Sequence, residues 1–326
     1  MNKAVLGFLS AILLAISPVA DTQTTKPLPR VAYVWLFGIG PSAPFAKEFA
    51  ARLAELGWID GKTVRIEYRD AKSDPEKLAA IMHELVESKV DVIAVACTPE
   101  AMAAKKATAT IPVVVAATGD PVRSGLVASL ARPEGNITGI SSSLLEMSAK
   151  RMQILKEVAP NVARATVLWN PARVDNAVEV AVMQEAAKGL GIQLQSQQVR
   201  DRDEIEVALD AMVKERSQGI TEAGDPFMFG YAPELVAFAA RTRTPAVYDN
   251  DFFVERGGLM SYGPNLPTLH KRAADYVDKI LRGAKPADLP FEQPKQFELV
   301  LNLRTAKALG ITFPKSLLVR ADHTVD

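Results

Sequence analysis

The sequence predicts an α/β fold of two doubly wound parallel-sheet lobes joined by crossover strands. Three observations predict it. Short apolar segments rich in valine and isoleucine alternate with segments of helical period. The alternation pauses near Gly135-Asn136 and then begins again in a second unit of similar build. Beyond its N-terminal apolar segment the chain has about 300 residues, which is enough for two domains.

The first unit contains four predicted strands and three predicted helices. Continuous apolar strands are typical of a parallel sheet that is buried on both faces. Asp74-Pro75 and Thr98-Pro99 each join a capping residue to a proline, which marks a helix start. Gly57 follows the first helix, where a glycine commonly ends one. The predicted strands are 31–37, 64–68, 90–97 and 113–117, and the predicted helices are 45–56, 75–88 and 99–107.

The second unit repeats this alternation and is followed by a more varied C-terminal part. Because proline cannot occupy a helix interior, residues 285–294 are predicted to be an extended connector between the lobes. Residues 30–140 and 245–284 are assigned to the N-terminal lobe, and residues 141–244 and 285–326 to the C-terminal lobe. The predicted strands are 165–169, 192–198, 218–221, 246–248, 259–262 and 297–302, and the predicted helices are 174–190, 203–216, 267–283 and 303–309.

The N-terminus has the pattern of a secretory signal peptide. Met1-Asn2-Lys3 gives a basic start, residues 4–16 are apolar, and small residues follow up to Ala20. The apolar segment is shorter than the roughly 20 residues that span a bilayer. The sequence therefore predicts a signal peptide over residues 1–20 and a periplasmic location.

Composition argues against several classes of function. The 38 basic and 38 acidic residues give a formal net charge of zero, whereas a nucleic-acid partner normally requires a basic excess. Cys97 is the only cysteine, so an intramolecular disulfide is impossible. The three histidines lack metal-ligand spacing, and exposed or capping positions are expected for them. Without a nucleophile elbow, a P-loop or a zinc-protease motif, neither a catalytic site nor a cofactor is predicted.

One motif keeps an alternative open, that of a cytoplasmic dinucleotide-dependent enzyme. Residues 38–43 resemble the G-x-G-x-x-A fingerprint, and Glu67 ends the next strand, where an acid that binds ribose would lie. Pro41 removes a backbone N–H from the turn that would hold the pyrophosphate, and the signal peptide also argues against this alternative. Ser42, at the helix start, could instead donate a hydrogen bond to a carboxylate.

Polar residues follow the predicted strands in both units. The loops at the carboxyl ends of parallel strands line the ligand crevice of a doubly wound sheet. Asp120, Asn170 and Asp225 each precede a proline, which holds them extended. Any one of them could simply cap a helix or a turn, but five such loops favour a ligand cleft. The candidate ligand-binding residues are Ser42, Phe45, Thr98, Pro99, Thr118, Asp120, Asn170, Asp225 and Asp249.

Several short sequence motifs, spread over nearly all of the mature chain, resemble those of a known family. Together they resemble the ABC-transporter substrate-binding proteins of the type I periplasmic-binding-protein fold, in the tryptophan- and tyrosine-type branch. Glu134 departs from the family, which often has glycine there. The motifs are Gly119-Asp120-Pro121-Val122, Gly125 to Pro133, Gly135-Asn136-Ile137-Thr138-Gly139, Gly257 to Gly263, Asn302-Leu303-Arg304-Thr305-Ala306 and Leu318 to Asp322.

The resemblance implies a non-enzymatic receptor whose lobes close on a small-molecule ligand, an amino acid or a related compound. It also implies an ABC permease and an ATPase as partners, and a monomer is expected. A receptor that serves a sensor protein stays an alternative. For an amino-acid ligand, the hydroxyls of Ser42, Thr98 and Thr118 are expected to hold the carboxylate. The ammonium would face Asp120, Asp225 or Asp249, and the side chain would pack on Phe37, Phe45, Trp169 or Phe227.

Overall fold

The computed structural model describes residues 27–36, 43–142, 144–294 and 296–326. The predicted signal peptide, Phe37, Ser42 and most of the glycine motif lie outside these described residues. Over the described ranges the chain forms two sheets flanked by helices, which confirms the predicted α/β architecture. In the same ranges no helix combines the length and the apolar character that crossing a bilayer requires.

The first sheet has five parallel strands in the order β2-β1-β3-β4-β5. Its central strands are almost wholly buried, as expected for strands that are covered by helices on both faces. The four predicted strands and three predicted helices of this unit agree with the structure to within a few residues, whereas β5 was not predicted. The elements are β1 (Arg30–Trp35), β2 (Arg65–Asp70), β3 (Val92–Cys97), β4 (Val113–Thr118) and β5 (Ile137–Ser141), with α1 (Pro44–Glu55), α2 (Pro75–Glu87) and α3 (Thr98–Ala107).

The second sheet has seven strands in the order β12-β11-β10-β9-β8-β6-β7. β11 runs antiparallel to β10, and the other described pairs are parallel. The strands are β6 (Arg164–Trp169), β7 (Gln193–Gln198), β8 (Ile220–Glu222), β9 (Ala246–Tyr248), β10 (Met260–Gly263), β11 (Glu298–Asn302) and β12 (His323–Val325).

Nine further α-helices lie among or after the strands of the second sheet in the described part of the chain. Four of them agree with predicted helices, namely α5, α6, α10 and α11, whereas the other five were not predicted. The helices are α4 (Leu144–Val158), α5 (Val174–Gly189), α6 (Arg202–Lys214), α7 (Pro226–Phe229), α8 (Ala232–Thr242), α9 (Asp251–Val254), α10 (Leu266–Leu281), α11 (Leu303–Leu309) and α12 (Lys315–Arg320).

The predicted return of the chain to the first lobe at residue 245 is wrong for β9 and β10. Both strands extend the second sheet beside β8, where Val247 and Met260 are buried in the second core. Of the described elements within residues 245–284, α10 alone returns, and it packs its buried face, including Ala273 and Val277, into the core of the first sheet against α1. Backbone pairing of β9 with β8, in which Val247 lies opposite Thr221, places β9 in the second sheet.

The connector 285–294 also departs from its assignment to the C-terminal lobe. The Phe291 N–H donates to the Leu130 carbonyl at 2.8 Å, and the Phe291 side chain is buried in the first lobe. Glu292 pairs with Ile140 of β5. Most of the connector therefore lies on the first lobe, and the chain crosses between the sheets after Ser141, after Gly263 and after Glu292.

Gly139 allows β4 and β5 to approach closely. Its φ is 153°, and a Cβ atom added there would lie 2.1 Å from the Val115 carbonyl oxygen. We expect Gly139→Ala to lower the free energy of unfolding in urea by roughly 2–4 kcal/mol, from overpacking and backbone strain. Gly189→Ala is the matched control, because a Cβ there meets no atom within 4 Å. Equal unfolding midpoints for the two variants would contradict this explanation.

Candidate ligand-binding site

A cavity lies between the two lobes, where the carboxyl ends of the strands of both sheets face each other. This is the position at which doubly wound sheets bind ligands. The first lobe supplies strand-end residues, the starts of α1 and α3, and α10, while the second lobe supplies the loops after β6, β8, β9 and β10. The lining side chains include Trp35, Phe45, Cys97, Glu100 and His270 of the first lobe and Arg173, Phe229, Asp249, Asn250 and Pro264 of the second.

Arg173 reaches across the cleft from the residue before α5. Its Nη2 atom lies 3.4 Å from the Thr98 Oγ1 atom of the first lobe, and its Nη1 atom lies 3.4 Å from Asp225 Oδ1. Burial opposes the positive charge, but Asp225 and Asp175 outweigh it and raise the pKa of Arg173. The guanidinium is therefore charged, and both of its contacts are long. A planar guanidinium of this kind suits bidentate binding of a carboxylate.

Asp225 explains how the Arg173 side chain is held. It is buried at the N-cap of α7, where its Oδ1 atom accepts the Phe227 N–H at 3.0 Å. The same oxygen faces Arg173, while Oδ2 has no hydrogen-bond partner among the described residues. Asp225 thus provides the negative charge that Arg173 needs in a buried position.

Two buried carboxyl groups lie on the second-lobe side. Asp249, the residue after β9, donates its backbone N–H to Glu222 Oε1 at 2.7 Å and accepts a hydrogen bond from the Asn250 side chain. Burial raises the pKa of Asp249 to about 6, with Arg151 opposing the shift. Burial and the neighbouring Asp249 raise the pKa of Glu222 well above its usual range. A cation beside Asp249 would relieve this unfavourable burial of negative charge.

Aromatic rings form the remaining wall. Phe45 packs on His270 with ring centroids 4.7 Å apart, and the Tyr33 hydroxyl lies 2.6 Å from His270 Nδ1. Burial lowers the pKa of His270 to about 3, so this ring is neutral. Trp35 and Phe229 complete the wall from opposite lobes. The expectation of an exposed or capping histidine is wrong for His270, because α10 turns this residue into the core.

The structure brings six of the nine candidate residues to the cleft. Phe45 and Asp249 line the cavity, while Thr98, Pro99, Asn170 and Asp225 line the open mouth beside it. Arg173 borders both spaces. Thr118 is fully buried behind the cleft, and its Oγ1 atom lies 2.9 Å from the Thr98 hydroxyl. Thr118 therefore supports Thr98 from behind. Ser42 lies outside the described residues.

Asp120 does not line the cavity with Arg173. Its Oδ1 atom accepts the Val122 and Arg123 N–H groups, each at 3.0 Å, so it caps a turn as Asn170 does by accepting the Ala172 N–H. Asp120 borders a separate interlobe cavity beside Asp175. The turn directs the Oδ1 atom of Asp120 to its own backbone, so of the three aspartates predicted for a ligand ammonium, Asp249 is the one that lines the main cavity.

The four aromatic residues predicted to pack on the ligand side chain differ in where they lie relative to the cavity. Trp169 donates its Nε1–H to Ser196 on β7 at 2.6 Å, which turns its ring away from the cavity. Phe227 lines the mouth of the cleft, and its ring packs at a tilt on Tyr231 with centroids 4.9 Å apart. Phe37 lies outside the described residues. Of the four predicted packing residues, Phe45 is the one that the structure places on the cavity wall.

Sequence reasoning missed Arg173, Glu100 and His270 as site residues. The first two had a signal, since Glu100 follows β3 closely, in the first turn of α3, and Arg173 precedes a predicted helix, three residues after Asn170. His270 had none. Its position depends on which face of α10 meets the first sheet, and the sequence assigned the helix to that lobe without indicating a cavity.

Glu67 is a structural residue. The Arg30 Nε atom lies 2.7 Å from one carboxylate oxygen, and Arg69 lies 3.0 Å from the other. Its pKa is lowered chiefly by the hydrogen bond from Arg30. Both oxygens are engaged, so Glu67 is not free to accept ribose hydroxyls, and the dinucleotide alternative loses one of its two supporting observations.

Glu100 is expected to make stability depend on pH. Its Oε1 atom accepts the Leu36 N–H at 2.6 Å, and burial raises its pKa from 4.5 to about 7. The folded state therefore holds this proton more tightly than the unfolded state, and the stability it contributes below pH 4.5 is lost as the pH rises through 7. In Glu100→Gln the fall in the free energy of unfolding over this range should be smaller by roughly 2–3 kcal/mol. Parallel profiles from urea unfolding at several pH values would contradict the prediction.

Two α/β lobes with a charged and aromatic cavity between them define a two-lobed ligand receptor. The family model described as ABC transporter substrate binding protein matches residues 45–325, and the chain belongs to that family.

Relatives agree with this assignment. The chain is 27% identical over 272 residues to a tyrosine-binding protein of Clostridioides difficile strain R20291, covering 83% of this chain and 78% of the relative. The structure of a Streptococcus pneumonia ABC domain in complex with L-Trp has a TM-score of 0.85 and 26% identity, covering 92% of this chain and 100% of the other. A conserved domain protein of Vibrio cholerae O1 biovar El Tor has a TM-score of 0.85 and 29% identity, covering 91% and 100%. The predicted type I periplasmic-binding-protein fold is confirmed.

Proposed function

We propose that this protein binds an amino acid in the cavity between its lobes and delivers it to a membrane permease that a cytoplasmic ATPase drives. One observation carries the proposal: Arg173 and Asp249, of opposite charge, line the same largely buried cavity. An amino acid presents a carboxylate and an ammonium on one carbon atom, and such a pair complements these two side chains. Relatives that are named for tyrosine or that hold L-Trp support an amino acid as the ligand class.

Each part of the ligand has a chemical counterpart in the wall. The carboxylate meets the Arg173 guanidinium and the Thr98 hydroxyl, which are already 3.4 Å apart. The ammonium meets Asp249, whose burial is unfavourable without a positive partner. The side chain packs among the aromatic rings of the wall, which favours an apolar or aromatic group.

Closure of the lobes completes the site in this proposal. Arg173 and Asp249 belong to the second lobe, whereas Thr98, Phe45 and Trp35 belong to the first, so a ligand gains its full set of contacts only when the lobes approach. The three crossings between the sheets are the natural hinge. Export to the periplasm by the N-terminal signal and action as a monomer belong to the same proposal, and a receptor that serves a sensor protein would use the same cavity.

A thermal-shift screen followed by calorimetry tests the proposal. Purified protein is heated with the standard L-amino acids, with sugars and with small organic acids that lack an amino group. A ligand at 100 times its Kd should stabilise the folded state by about 2.7 kcal/mol. The proposal predicts this stabilisation with one or a few amino acids. Tight binding of sugars or simple acids alone would contradict it.

A further inference from the structure

Glu222 and Asp249 form a carboxyl pair on the second-lobe side of the cavity. Glu222 is the last residue of β8 and Asp249 follows the neighbouring strand β9, so the parallel pairing of the strands brings the two residues together. The Asp249 N–H donates to Glu222 Oε1 at 2.7 Å, and the two carboxyl groups are also hydrogen-bonded to each other. Asp249 lines the cavity, whereas Glu222, which is 1% exposed, lies behind it. Any effect of Glu222 on a ligand therefore passes through Asp249.

The surroundings of Glu222 do not match an ionised carboxylate. Its Oε2 atom is buried and receives no hydrogen bond from an N–H or hydroxyl group of the described residues. Arg151 acts on both carboxyl groups, but its guanidinium pairs with Glu179 and contacts Glu222 through the backbone carbonyl, at 3.5 Å. Two ionised carboxylates in contact would repel each other. One proton between them removes that repulsion and gives the pair a hydrogen-bond donor.

Other charged and titratable groups lie around the pair or on the same cavity wall. Burial raises the pKa of Cys97 and of Tyr248 and lowers the pKa of His270 to about 3, so these three groups are uncharged near neutral pH. Glu100 is the other carboxyl group of the wall, and burial raises its pKa to about 7. The remaining groups form ion pairs, namely Arg151 with Glu179 and Arg173 with Asp225 and Asp175.

We propose that Glu222 is a positioning residue that holds one proton against Asp249, so that Asp249 presents a single negative charge to the ligand ammonium. This inference rests on the proposed function. One shared proton leaves the pair with one negative charge, which matches one ammonium. In acid the pair takes up a second proton and loses this charge. Capture of an amino acid in acid is therefore linked to the release of that proton.

Calorimetric titration at pH 5, 6 and 7 tests the inference. The probe is L-tyrosine, or another standard L-amino acid if L-tyrosine does not bind, and it keeps both of its charges in this range. Because burial raises the pKa of Asp249 to about 6, wild-type affinity should fall about tenfold between pH 7 and pH 5. Paired titrations in two buffers of different ionisation enthalpy should show the release of about one proton at pH 5.

Two substitutions of Glu222 separate proton donation from packing. Glu222→Gln keeps a neutral donor and an acceptor, so affinity should stay within about threefold of the wild type at pH 7 and fall in acid as the wild type does. Glu222→Met keeps the length of the side chain but neither group, so ionised Asp249 loses a hydrogen bond. Affinity should then be about tenfold weaker at pH 7, and the midpoint of its fall should lie at higher pH. Glu100→Gln is the control for the other carboxyl group, and the fall below pH 6 should persist in it.

Three results would overturn the inference. If Glu222→Gln binds the probe tenfold or more weakly at pH 7, Glu222 supplies a charge instead of a proton, and this result does not require Glu222→Met to fold. The second is a wild-type affinity that is constant from pH 5 to pH 7, and the third is a fall that disappears in Glu100→Gln. In each case the amino acid still binds, so the proposed function stands. If no amino acid binds, both fall.

Discussion

Arg173→Ala is expected to weaken binding of the amino-acid ligand by roughly 100-fold or more, because truncation of one partner in a buried charge pair commonly costs 2–5 kcal/mol. The loss has two physical sources. The ligand carboxylate would lose its guanidinium, and Asp225, which is 1% exposed, would keep a buried charge without its partner. Calorimetric titration with L-tyrosine gives the affinities directly.

Two comparisons separate this effect from a general disturbance. Arg123→Ala is the matched control, since Arg123 is an exposed arginine, 3.5 Å from Asp120, outside the main cavity; its loss should leave affinity within about threefold. L-Tyrosine amide, which lacks the carboxylate charge, should bind the wild type weakly and lose little more in Arg173→Ala. If Arg173→Ala weakens both ligands equally, Arg173 does not bind the carboxylate.

Arg151→Met should produce the largest loss of stability. Arg151 and Glu179 form an ion pair of 2.5 Å in which the two side chains are 0% and 1% exposed. Removal of one member of a buried pair leaves an uncompensated charge and costs about 3–5 kcal/mol. Glu179 also accepts the Gly224 N–H at 3.1 Å, so the disturbance would reach the loop after β8 that lines the cavity. Urea unfolding measures the loss.

Arg320→Met is the control for Arg151→Met. Arg320 pairs with Glu157 at 3.0 Å, but its side chain is 42% exposed, and such surface pairs contribute about 0–1 kcal/mol. The double variant Arg151→Met/Glu179→Gln should recover part of the lost stability, because it removes the uncompensated charge and keeps an acceptor for Gly224. Similar losses from Arg151→Met and Arg320→Met would show that the buried pair does not act as described.

The sequence predicted most strands of both lobes because buried parallel strands are recognisable as short, continuously apolar segments. Strands such as β3 and β4 are buried on both faces and are apolar throughout. It failed at residue 245 because a three-residue strand such as β9 shows that a strand exists without indicating which sheet it joins. That choice depends on backbone pairing with β8, which is a contact distant in sequence.

The sequence predicted which loops would surround the candidate site, but it did not predict which side chains of those loops would face the cavity. The loops after the strands do gather at one cleft, as parallel topology requires. Asp120 and Asp225 have the same local sequence, an aspartate before proline, yet Asp120 caps an exposed turn and Asp225 is buried against Arg173. Because the difference comes from the opposing lobe, the local sequence does not contain it.

The crystal structure of the complex with the amino acid that stabilises the protein most would test the central claim most directly. The account predicts the ligand between the lobes, with its carboxylate oxygens within hydrogen-bonding distance of the Arg173 guanidinium. It also predicts the ligand ammonium beside the Asp249 carboxylate and the side chain against Phe45. A ligand bound outside this cavity, or one whose carboxylate faces Asp249 and whose ammonium faces Arg173, would contradict it.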